Sequence, residues 1–216
     1  MRIVSWNCCR GPLAKKLAAL ETLAPDVAVI AESPSPVEES SQTLWFPSGV
    51  SKLGIQVRAW GKYALERLPA ADLPNCVVPV RVMGPVPFTL LAVWTWPAPS
   101  YIKAFMNAIS AYSSLLHAGP VVVAGDFNGN PVFDKPGTRV KWTAAFERLR
   151  QADLVSAYHH TNAVEFGKEA HATHHFQRKA ARPFHIDFCF VPRRGSIPFR
   201  VERDSHIRRL LSIPSP

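Results

Sequence analysis

The sequence is poor in cysteine and contains no long apolar run. Among its 216 residues there are four cysteines, Cys8, Cys9, Cys76 and Cys189, and no two of them form a CxxC pair. We therefore expect reduced, mostly buried thiols in a cytoplasmic protein. No run approaches the roughly 20 apolar residues of a membrane span. The first residues, MRIVSWNCCRG, lack the apolar core of a signal peptide, so we predict no membrane partner.

Acidic residues are also scarce relative to basic ones. The chain has 16 Asp and Glu against 25 Lys and Arg, which gives a formal net charge of +9. From Arg139 onward, 14 Lys and Arg stand against 7 Asp and Glu, so this last third carries +7 of that charge. Such an excess favours an anionic partner, such as nucleic acid or a phosphorylated ligand. A need for solubility alone would also explain it.

Hydrophobic residues make up 47% of the chain and charged residues 19%. This balance suits a globular protein with a sizeable core. The length favours a single domain, which we place over residues 1–216. We take a monomer as the default.

Apolar runs of strand length alternate with stretches of helical periodicity. Helical spacing predicts helices over 12–24, 101–116 and 140–150. Strands are predicted over 2–8, 26–31, 51–60, 76–82, 88–94, 121–125, 172–176, 184–191, 199–202 and 207–213. Residues 33–41 are rich in Ser, Pro and Glu and predict a surface loop. Strands outnumber helices and several end in a polar residue, which indicates stacked sheets with a site along one rim.

Residues 121–130 read VVVAGDFNGN. Three Val and an Ala are typical of a strand buried on both faces. Asp126 and Asn128 follow two residues apart, so they point the same way if the strand continues. Their oxygen atoms suit a hard divalent cation or a phosphate ester. An ordinary Asx turn would use the same residue types, and this stretch alone does not choose between the two.

Other predicted strand ends also carry polar side chains. Asn7 follows Ser-Trp, Glu32 follows Val-Ile-Ala, and His185 and Asp187 lie within FHIDF. His206 comes later, in RDSHI. Each residue alone has an ordinary structural explanation, such as a helix cap, a solvated turn or a packed core histidine. In this order, however, they form a joint pattern.

That pattern resembles the endonuclease/exonuclease/phosphatase superfamily, the DNase I-like fold, over nearly the whole chain. The matching segments are Ser5-Trp6-Asn7, DVAVIAE at 26–32, GDFN at 125–128 and HIDF at 185–188. The resemblance implies an α/β (α+β) four-layer sandwich, in which two packed mixed β-sheets are flanked by helices. It also implies divalent-metal-dependent cleavage of phosphoester bonds.

The resemblance further implies a role for each matching residue. Glu32 would bind Mg²⁺ or Mn²⁺, with Asn7 beside it. Asp126 would orient or activate the attacking water, and Asn128 would hold a phosphate oxygen. Asp187 would hold or polarise a catalytic histidine. This division of labour is chemically sound, because an anionic phosphodiester needs its developing charge neutralised and its attacking water positioned.

The sequence departs from the superfamily pattern before the second predicted helix. The superfamily usually has a His there, or a Tyr in abasic-site endonucleases, and Trp94 occupies that place in AVWTWP. An indole N–H donates one hydrogen bond but cannot carry a proton in catalysis. Trp94 is therefore predicted to contact substrate, unless it simply packs against Trp96.

The second departure is at the C-terminus. The superfamily ends in Ser-Asp-His-x-Pro, and the nearest match is Asp204-Ser205-His206-Ile207-Arg208. On this alignment His206 is the catalytic histidine, and a final strand follows it, as it should. A rival alignment places Ser212-Ile213-Pro214 on the motif and leaves no catalytic histidine.

A histidine-rich region precedes the HIDF segment. It comprises His159, His160, His171, His174 and His175. Its spacing matches no HExxH motif or Cys/His knuckle, so we interpret it as a basic loop near the sheet rim. Arg178, Lys179 and Arg182 are available to contact the substrate phosphates from this region, and His185 is predicted to bind the substrate as well.

Three functional hypotheses follow. The first is a Mg²⁺- or Mn²⁺-dependent nuclease acting on DNA or RNA. The second is a phosphatase or phosphodiesterase acting on a small phosphorylated molecule or lipid headgroup, because the chain is short for the superfamily. The third is a non-catalytic member that binds nucleic acid, which Trp94 and the altered C-terminal motif suggest.

Overall fold

The computed structural model describes residues 1–9, 12–49, 51–73, 75–97, 100–176, 179 and 181–193. The strands are β1 Ile3–Asn7, β2 Val27–Pro34, β3 Thr43–Pro47, β4 Leu53–Ala59, β5 Ala64–Arg67, β6 Val77–Met83, β7 Phe88–Trp94, β8 Val121–Asp126, β9 Leu154–Ser156, β10 His174–His175, β11 Pro183–Phe184 and β12 Asp187–Pro192. The helices are α1 Leu13–Glu21, α2 Tyr101–Ala111, α3 Trp142–Gln151 and α4 Ala157–Asn162, with 3₁₀ turns at Leu115–His117 and Pro131–Phe133.

The strands form two mixed sheets and one short hairpin. The first sheet has the order β1-β2-β4-β3, and the second has the order β5-β6-β7-β8-β12-β9. Within them, β1 runs parallel to β2 and β7 runs parallel to β8, whereas the other neighbours are antiparallel. The hairpin consists of β10 and β11.

The two sheets pack face to face around the main core. Alternate residues of β2 show this arrangement: Val27 and Val29 belong to the core between the sheets, whereas Ala28 and Ile30 pack on α1. Helices α2 and α3 cover the outer face of the second sheet, where Phe105 of α2 contacts Trp142 of α3. The chain is thus layered helix, sheet, sheet, helix. The predicted fold class, two mixed sheets with flanking helices, is confirmed.

The predicted elements are present with corrected bounds. The three predicted helices form as α1, α2 and α3. The prediction of a loop over 33–41 is wrong for Ser33 and Pro34. Both residues belong to β2, which continues past an irregularity between Ile30 and Ser33. The strand predicted over 184–191 is split by His185 and Ile186 into β11 and β12. The elements β3, β5, β9 and α4 were not predicted. The strands predicted over 199–202 and 207–213 lie outside the described residues.

No helix within the described residues is both long enough and apolar enough to cross a membrane.

Candidate active site

Polar strand ends from both sheets meet at one rim of the sandwich. The first sheet contributes Asn7, the last residue of β1, and Glu32 near the end of β2. The second sheet contributes Asp126, the last residue of β8, and Asp187, the first residue of β12. Asp126 and Asp187 lie directly opposite each other in the antiparallel pair. Asn128 follows two residues after Asp126.

Asn7 holds the two sheets together at this rim. Its side-chain Nδ2 donates to Glu32 Oε1 at 3.1 Å and to Asp126 Oδ2 at 2.8 Å. Its Oδ1 accepts the backbone N–H of Cys9 at 2.8 Å. A single amide therefore satisfies one acidic group from each sheet, and its own orientation is fixed by the main chain.

The residue between Asp126 and Asn128 anchors the turn. Phe127 is fully buried and packs against aromatic rings from α2, α3 and β12. Its burial leaves Asp126 and Asn128 on the opposite side of the chain, at the rim. The backbone N–H of Asn128 donates to Asp126 Oδ1 at 2.9 Å, and Asn128 Nδ2 donates to the Thr95 carbonyl at 3.1 Å.

Unusual backbone conformations accumulate at the rim. Cys9, Glu32 and Asn128 have φ values of 50°, 54° and 48°, which non-glycine residues rarely adopt. Glu32 lies at the irregularity in β2, where the extra residue redirects its side chain, as β-bulges do beside active sites. Each such residue costs about 1–3 kcal/mol and persists only where the surrounding structure holds it.

The ionised forms of Asp126 and Asp187 are destabilised by their surroundings at the rim. Burial raises the pKa of Asp126 to about 6, and the nearby Glu32 carboxylate adds to this rise, while hydrogen bonds from Asn7 and Asn128 oppose it. Burial also raises the pKa of Asp187 well above its usual range, and the charge of Asp126 raises it further. A bound cation would offset both the desolvation and the mutual repulsion.

Thr173 fixes the strand end that carries Asp187, and no motif in the sequence indicates this role. Its hydroxyl oxygen accepts the backbone N–H of Ile186 at 3.0 Å and of Asp187 at 3.1 Å. A hydrogen bond from the Thr173 side chain also counteracts the rise in the pKa of Asp187. The hairpin β10–β11 begins directly after Thr173, so it is tied to the acidic rim.

A cavity of about 560 Å³ opens beside this rim. Asn128 lies in its wall, together with His174 and Arg182. The rest of the wall is apolar and mostly aromatic: Tyr101, Phe133, Phe176, Phe184 and Ile186. Tyr101, Phe133 and Phe176 are between 37% and 44% exposed, which is unusual for such large apolar groups. The cavity therefore combines stacking surfaces with a guanidinium and an imidazole next to the acidic groups.

His185 lies in a buried polar network behind the rim. It is only 7% exposed, its Nδ1 is 2.8 Å from the His171 carbonyl, and its ring packs on Tyr158. The His185 carbonyl accepts from Asn130 Nδ2 at 2.9 Å, and the same Nδ2 donates to Glu169 at 2.8 Å. The structure thus ties His185 into the framework, and its predicted contact with substrate stays a prediction.

The network continues on the far side of Glu169. Its Oε1 also pairs with His159 Nε2 at 3.0 Å, and His159 Nδ1 lies 2.8 Å from the Ser156 hydroxyl. Glu169 and His159 are both almost fully buried. These residues support the loop after Asn128 and the start of β12, and no sequence motif indicates that they pair.

The other predicted substrate contacts have different surroundings. Trp94 is 8% exposed and lies opposite Asp126 in the parallel pair β7–β8. Its ring packs edge-on against that of Trp96, with 5.3 Å between the ring centroids. Lys179 is exposed between β10 and β11. Arg178 and His206 lie outside the described residues.

The chemistry of the rim fits a hard divalent cation. Its donors are carboxylate and amide oxygens, with Glu32 and Asp126 joined by Asn7. The described residues contain no group of three or more His, Cys, Asp or Glu arranged to enclose a metal. Mg²⁺ does not need such an enclosure, since it keeps several waters and takes one or two carboxylates. The donor set is unlike a closed zinc site.

Comparison with known proteins identifies the fold. No family model matches the chain, and no curated protein matches it by sequence. Among solved structures, the 3'-5' exonuclease NExo from Neisseria meningitidis is similar at a TM-score of 0.60 and 18% identity, over 89% of this chain and 87% of that one. The endonuclease domain of TRAS1, a telomere-specific non-LTR retrotransposon, is similar at a TM-score of 0.58 and 16% identity. The match covers 87% of this chain and 82% of that one. The chain has the endonuclease/exonuclease/phosphatase fold.

A further similar structure is a phosphatase. The 3' phosphatase NExo from Neisseria bound to a product DNA hairpin is similar at a TM-score of 0.57 and 15% identity, over 89% of this chain and 86% of that one. The resemblance stated from the sequence motifs is confirmed at the level of the superfamily fold.

Proposed function

We propose that the protein is a Mg²⁺- or Mn²⁺-dependent phosphodiester hydrolase that cleaves nucleic acid. The observation that carries this proposal is the hydrogen-bonded set Glu32–Asn7–Asp126, which joins the two sheets beside a cationic, aromatic cavity. Hydrolysis of an anionic ester needs a positioned water, a proton acceptor and a means of neutralising charge. The rim has candidates for each.

Asp126 is the proposed acceptor of the water proton. A pKa of about 6 leaves it ionised at neutral pH and makes it a stronger base than an ordinary carboxylate. The hydrogen bonds from Asn7 and from the Asn128 backbone hold its two oxygens in place. Asn128 lines the cavity and would contact a phosphate oxygen.

Glu32 is the proposed carboxylate ligand of the metal, and Asn7 keeps it oriented towards Asp126. When bound, Mg²⁺ or Mn²⁺ would supply Lewis-acid stabilisation of charge on the phosphate. Asp187 is proposed to hold the catalytic histidine, for which the sequence suggests His206. Burial and the neighbouring Asp126 make Asp187 costly to ionise without such a cationic partner.

The surface around the cavity supports nucleic acid as the substrate. Exposed Tyr101, Phe133 and Phe176 present ring faces on which bases stack, and Arg182 lies among them. Lys179 is exposed on the same hairpin, and the last third of the sequence is basic. Related structures include a DNA 3' phosphatase, which makes a phosphomonoester at a nucleic-acid end a further candidate.

The test is a cleavage assay on labelled single-stranded DNA, duplex DNA, RNA and a 3'-phosphorylated oligonucleotide, with Mg²⁺, Mn²⁺ or EDTA. We expect metal-dependent cleavage that falls at least about 100-fold in Glu32→Gln. Glu38→Gln is the matched control, because Glu38 is an exposed carboxylate a few residues further along the chain. Calorimetric titration with Mn²⁺ should show weaker binding in Glu32→Gln only.

Equal activity in wild type and Glu32→Gln would refute the proposed metal site. Turnover of small phosphate esters alone would favour the small-molecule hypothesis, for which a cavity of about 560 Å³ is large enough. Salt-sensitive binding of nucleic acid without turnover, at any metal concentration, would favour the non-catalytic hypothesis.

A further inference from the structure

The rim lacks a protonatable side chain at the end of β7. Trp94 occupies this position, lies opposite Asp126 and is buried against Trp96. An indole N–H cannot deliver a proton or a positive charge to a phosphate. The site described so far is therefore almost wholly acidic, although its substrate would be an anion. Besides the proposed metal ion, a side-chain cation that faces the rim has to come from another element.

Most histidines of the nearby segment are occupied with other contacts. His159 pairs with Glu169 and Ser156, and His171 Nδ1 lies 2.8 Å from the Tyr158 hydroxyl. His185 contacts the His171 carbonyl and is buried. These three rings serve the framework behind β12, so they are not placed to meet a substrate in the cavity.

His174 differs from them in both position and contacts. It is the first residue of β10, it is exposed, and its ring makes no hydrogen bond to the described part of the chain. It lines the same cavity as Asn128. Its cross-strand partner is Phe184, another wall residue, so the hairpin directs the side chain of His174 towards the cavity.

The surroundings of His174 act on its charge in opposite directions. Partial burial and the neighbouring His175 lower the pKa of the His174 imidazole, and the Glu32 carboxylate only partly opposes this. Arg182 shares the cavity wall, and its guanidinium forms no ion pair within the described residues. Arg182 therefore brings positive charge to the mouth of the site, and an anionic phosphate bound in the cavity would favour the protonated form of His174.

The hairpin also fixes the distance of His174 from the reacting groups. Thr173, the preceding residue, accepts hydrogen bonds from the backbone of Ile186 and Asp187, and its own N–H donates to the Phe184 carbonyl at 2.9 Å. One residue thus links the start of β10 to the strand end that carries Asp187. His174 is held by the same backbone that holds the acidic rim.

We propose that His174 is a phosphate-contacting residue of the active site, whose ring N–H donates to a non-bridging oxygen of the substrate phosphate held beside Asn128. This inference rests on the proposed function, and it supplies the cationic contact that Trp94 does not. The bound anionic phosphate favours the protonated ring, and the resulting charge-assisted hydrogen bond offsets the negative charge that builds up on the phosphate oxygens during attack by water. No covalent step is assigned to it.

The test compares His174→Gln, His174→Lys and His175→Gln in cleavage of a labelled single-stranded oligodeoxynucleotide with Mn²⁺ at pH 6.5. His174→Gln should lower kcat/KM by about 10- to 100-fold, as expected for the loss of a charge-assisted hydrogen bond. His174→Lys retains a cation and should recover most of the activity. His175→Gln should stay within about 2-fold of wild type, because neighbouring side chains on a strand point to opposite faces. Circular dichroism of each variant checks that the fold is intact.

The outcomes separate this inference from the proposed function. An active wild type whose activity is unchanged in His174→Gln would overturn the role of His174 alone. Activity lost equally in His174→Gln and His174→Lys, with the fold intact, would also overturn it, because the charge would then not be what matters. A wild type without turnover on any phosphoester would overturn the proposed function and this inference together.

Discussion

Asn7 donates to Asp126 at 2.8 Å, and this hydrogen bond connects the last residue of β1 to the last residue of β8. The same amide reaches Glu32 on the neighbouring strand at 3.1 Å. One side chain therefore sets the separation between the proposed metal ligand and the proposed base, which belong to different sheets.

Replacing Asn7 by alanine should damage both function and stability. Two buried or half-buried carboxylates would lose a donor, so we expect the free energy of unfolding to fall by about 1–3 kcal/mol. Catalysis should fall more than 100-fold, because Glu32 and Asp126 would no longer be aligned. Urea denaturation and the cleavage assay measure the two effects. Asn75→Ala is the control, since Asn75 is a surface amide whose Nδ2 donates to the Pro47 carbonyl, away from the rim. An Asn7→Ala variant with wild-type activity would contradict the proposed role.

Gly125 should not tolerate a side chain. Its φ is +147°, and a Cβ there would lie 1.9 Å from the Val93 carbonyl oxygen on the parallel strand β7. Gly119 has nearly the same φ, +146°, with open space around it. Gly119→Ala should therefore cost only the backbone strain of about 1–3 kcal/mol.

Gly125→Ala should cost roughly 2 kcal/mol more than Gly119→Ala, because it adds a steric clash to the same strain. Urea denaturation of the two variants gives this difference directly. Equal losses would mean that β7 and β8 separate easily at this point, which would contradict the close approach of the two strands.

Removing the Thr173 hydroxyl should loosen the strand end that carries Asp187. Thr173→Val keeps the shape of the side chain but leaves two backbone N–H groups without their acceptor. We expect a loss of about 1–3 kcal/mol in stability and a clear fall in kcat. Thr173→Ser retains the hydroxyl and should stay near wild type in both measurements. If valine and serine behaved alike, the hydroxyl would have no positioning role.

Stability should decline in mild acid through His159. Burial lowers the pKa of His159 below its ordinary 6.5, and the pairing with Glu169 only partly opposes this. Below about pH 6.5 the unfolded chain therefore binds more protons at this residue than the folded chain does. The contribution of His159 to stability is fully present above that pH and is lost as the pH falls through the folded pKa.

The measurement is the free energy of unfolding at pH 7.5 and pH 5.5, for wild type and His159→Gln. Glutamine can still donate to Glu169 but does not titrate, so the variant should lose less stability on acidification. The carboxyl groups at the rim titrate in both proteins and cancel in the comparison. An identical pH dependence in the two proteins would contradict the assignment.

The sequence predicted the apolar runs that carry the candidate site. Asn7 and Asp126 lie at the ends of such runs and of their strands, whereas β2 continues past Glu32 and the strand predicted over 184–191 begins only at Asp187. Their order along the chain then suggested the superfamily. The structure brings all four to one rim.

Other features could not be predicted because they depend on tertiary contacts. Strand β3 is short, ends in Pro47 and follows a Ser- and Pro-rich stretch, so its sequence does not differ clearly from the loop before it. Thr173 is a single hydroxyl with no local signature, and its partners come 13 and 14 residues later. Glu169 and Asn130 are 39 residues apart, so nothing in their neighbourhoods indicates the pairing. The left-handed backbone of Glu32 arises only because β4 pairs with β2 on both sides of it.

The two sheets are consecutive in the described chain: β1 to β4 complete the first sheet by residue 59, and the second begins at residue 64. Each sheet can therefore fold from local segments, but neither contains the site, because Asn7 and Glu32 lie on one and Asp126 and Asp187 on the other. The acidic groups meet only when the sheets dock. The ability to bind a divalent cation should then appear last in refolding, after secondary structure is complete, and it would serve as a reporter of the final assembly step.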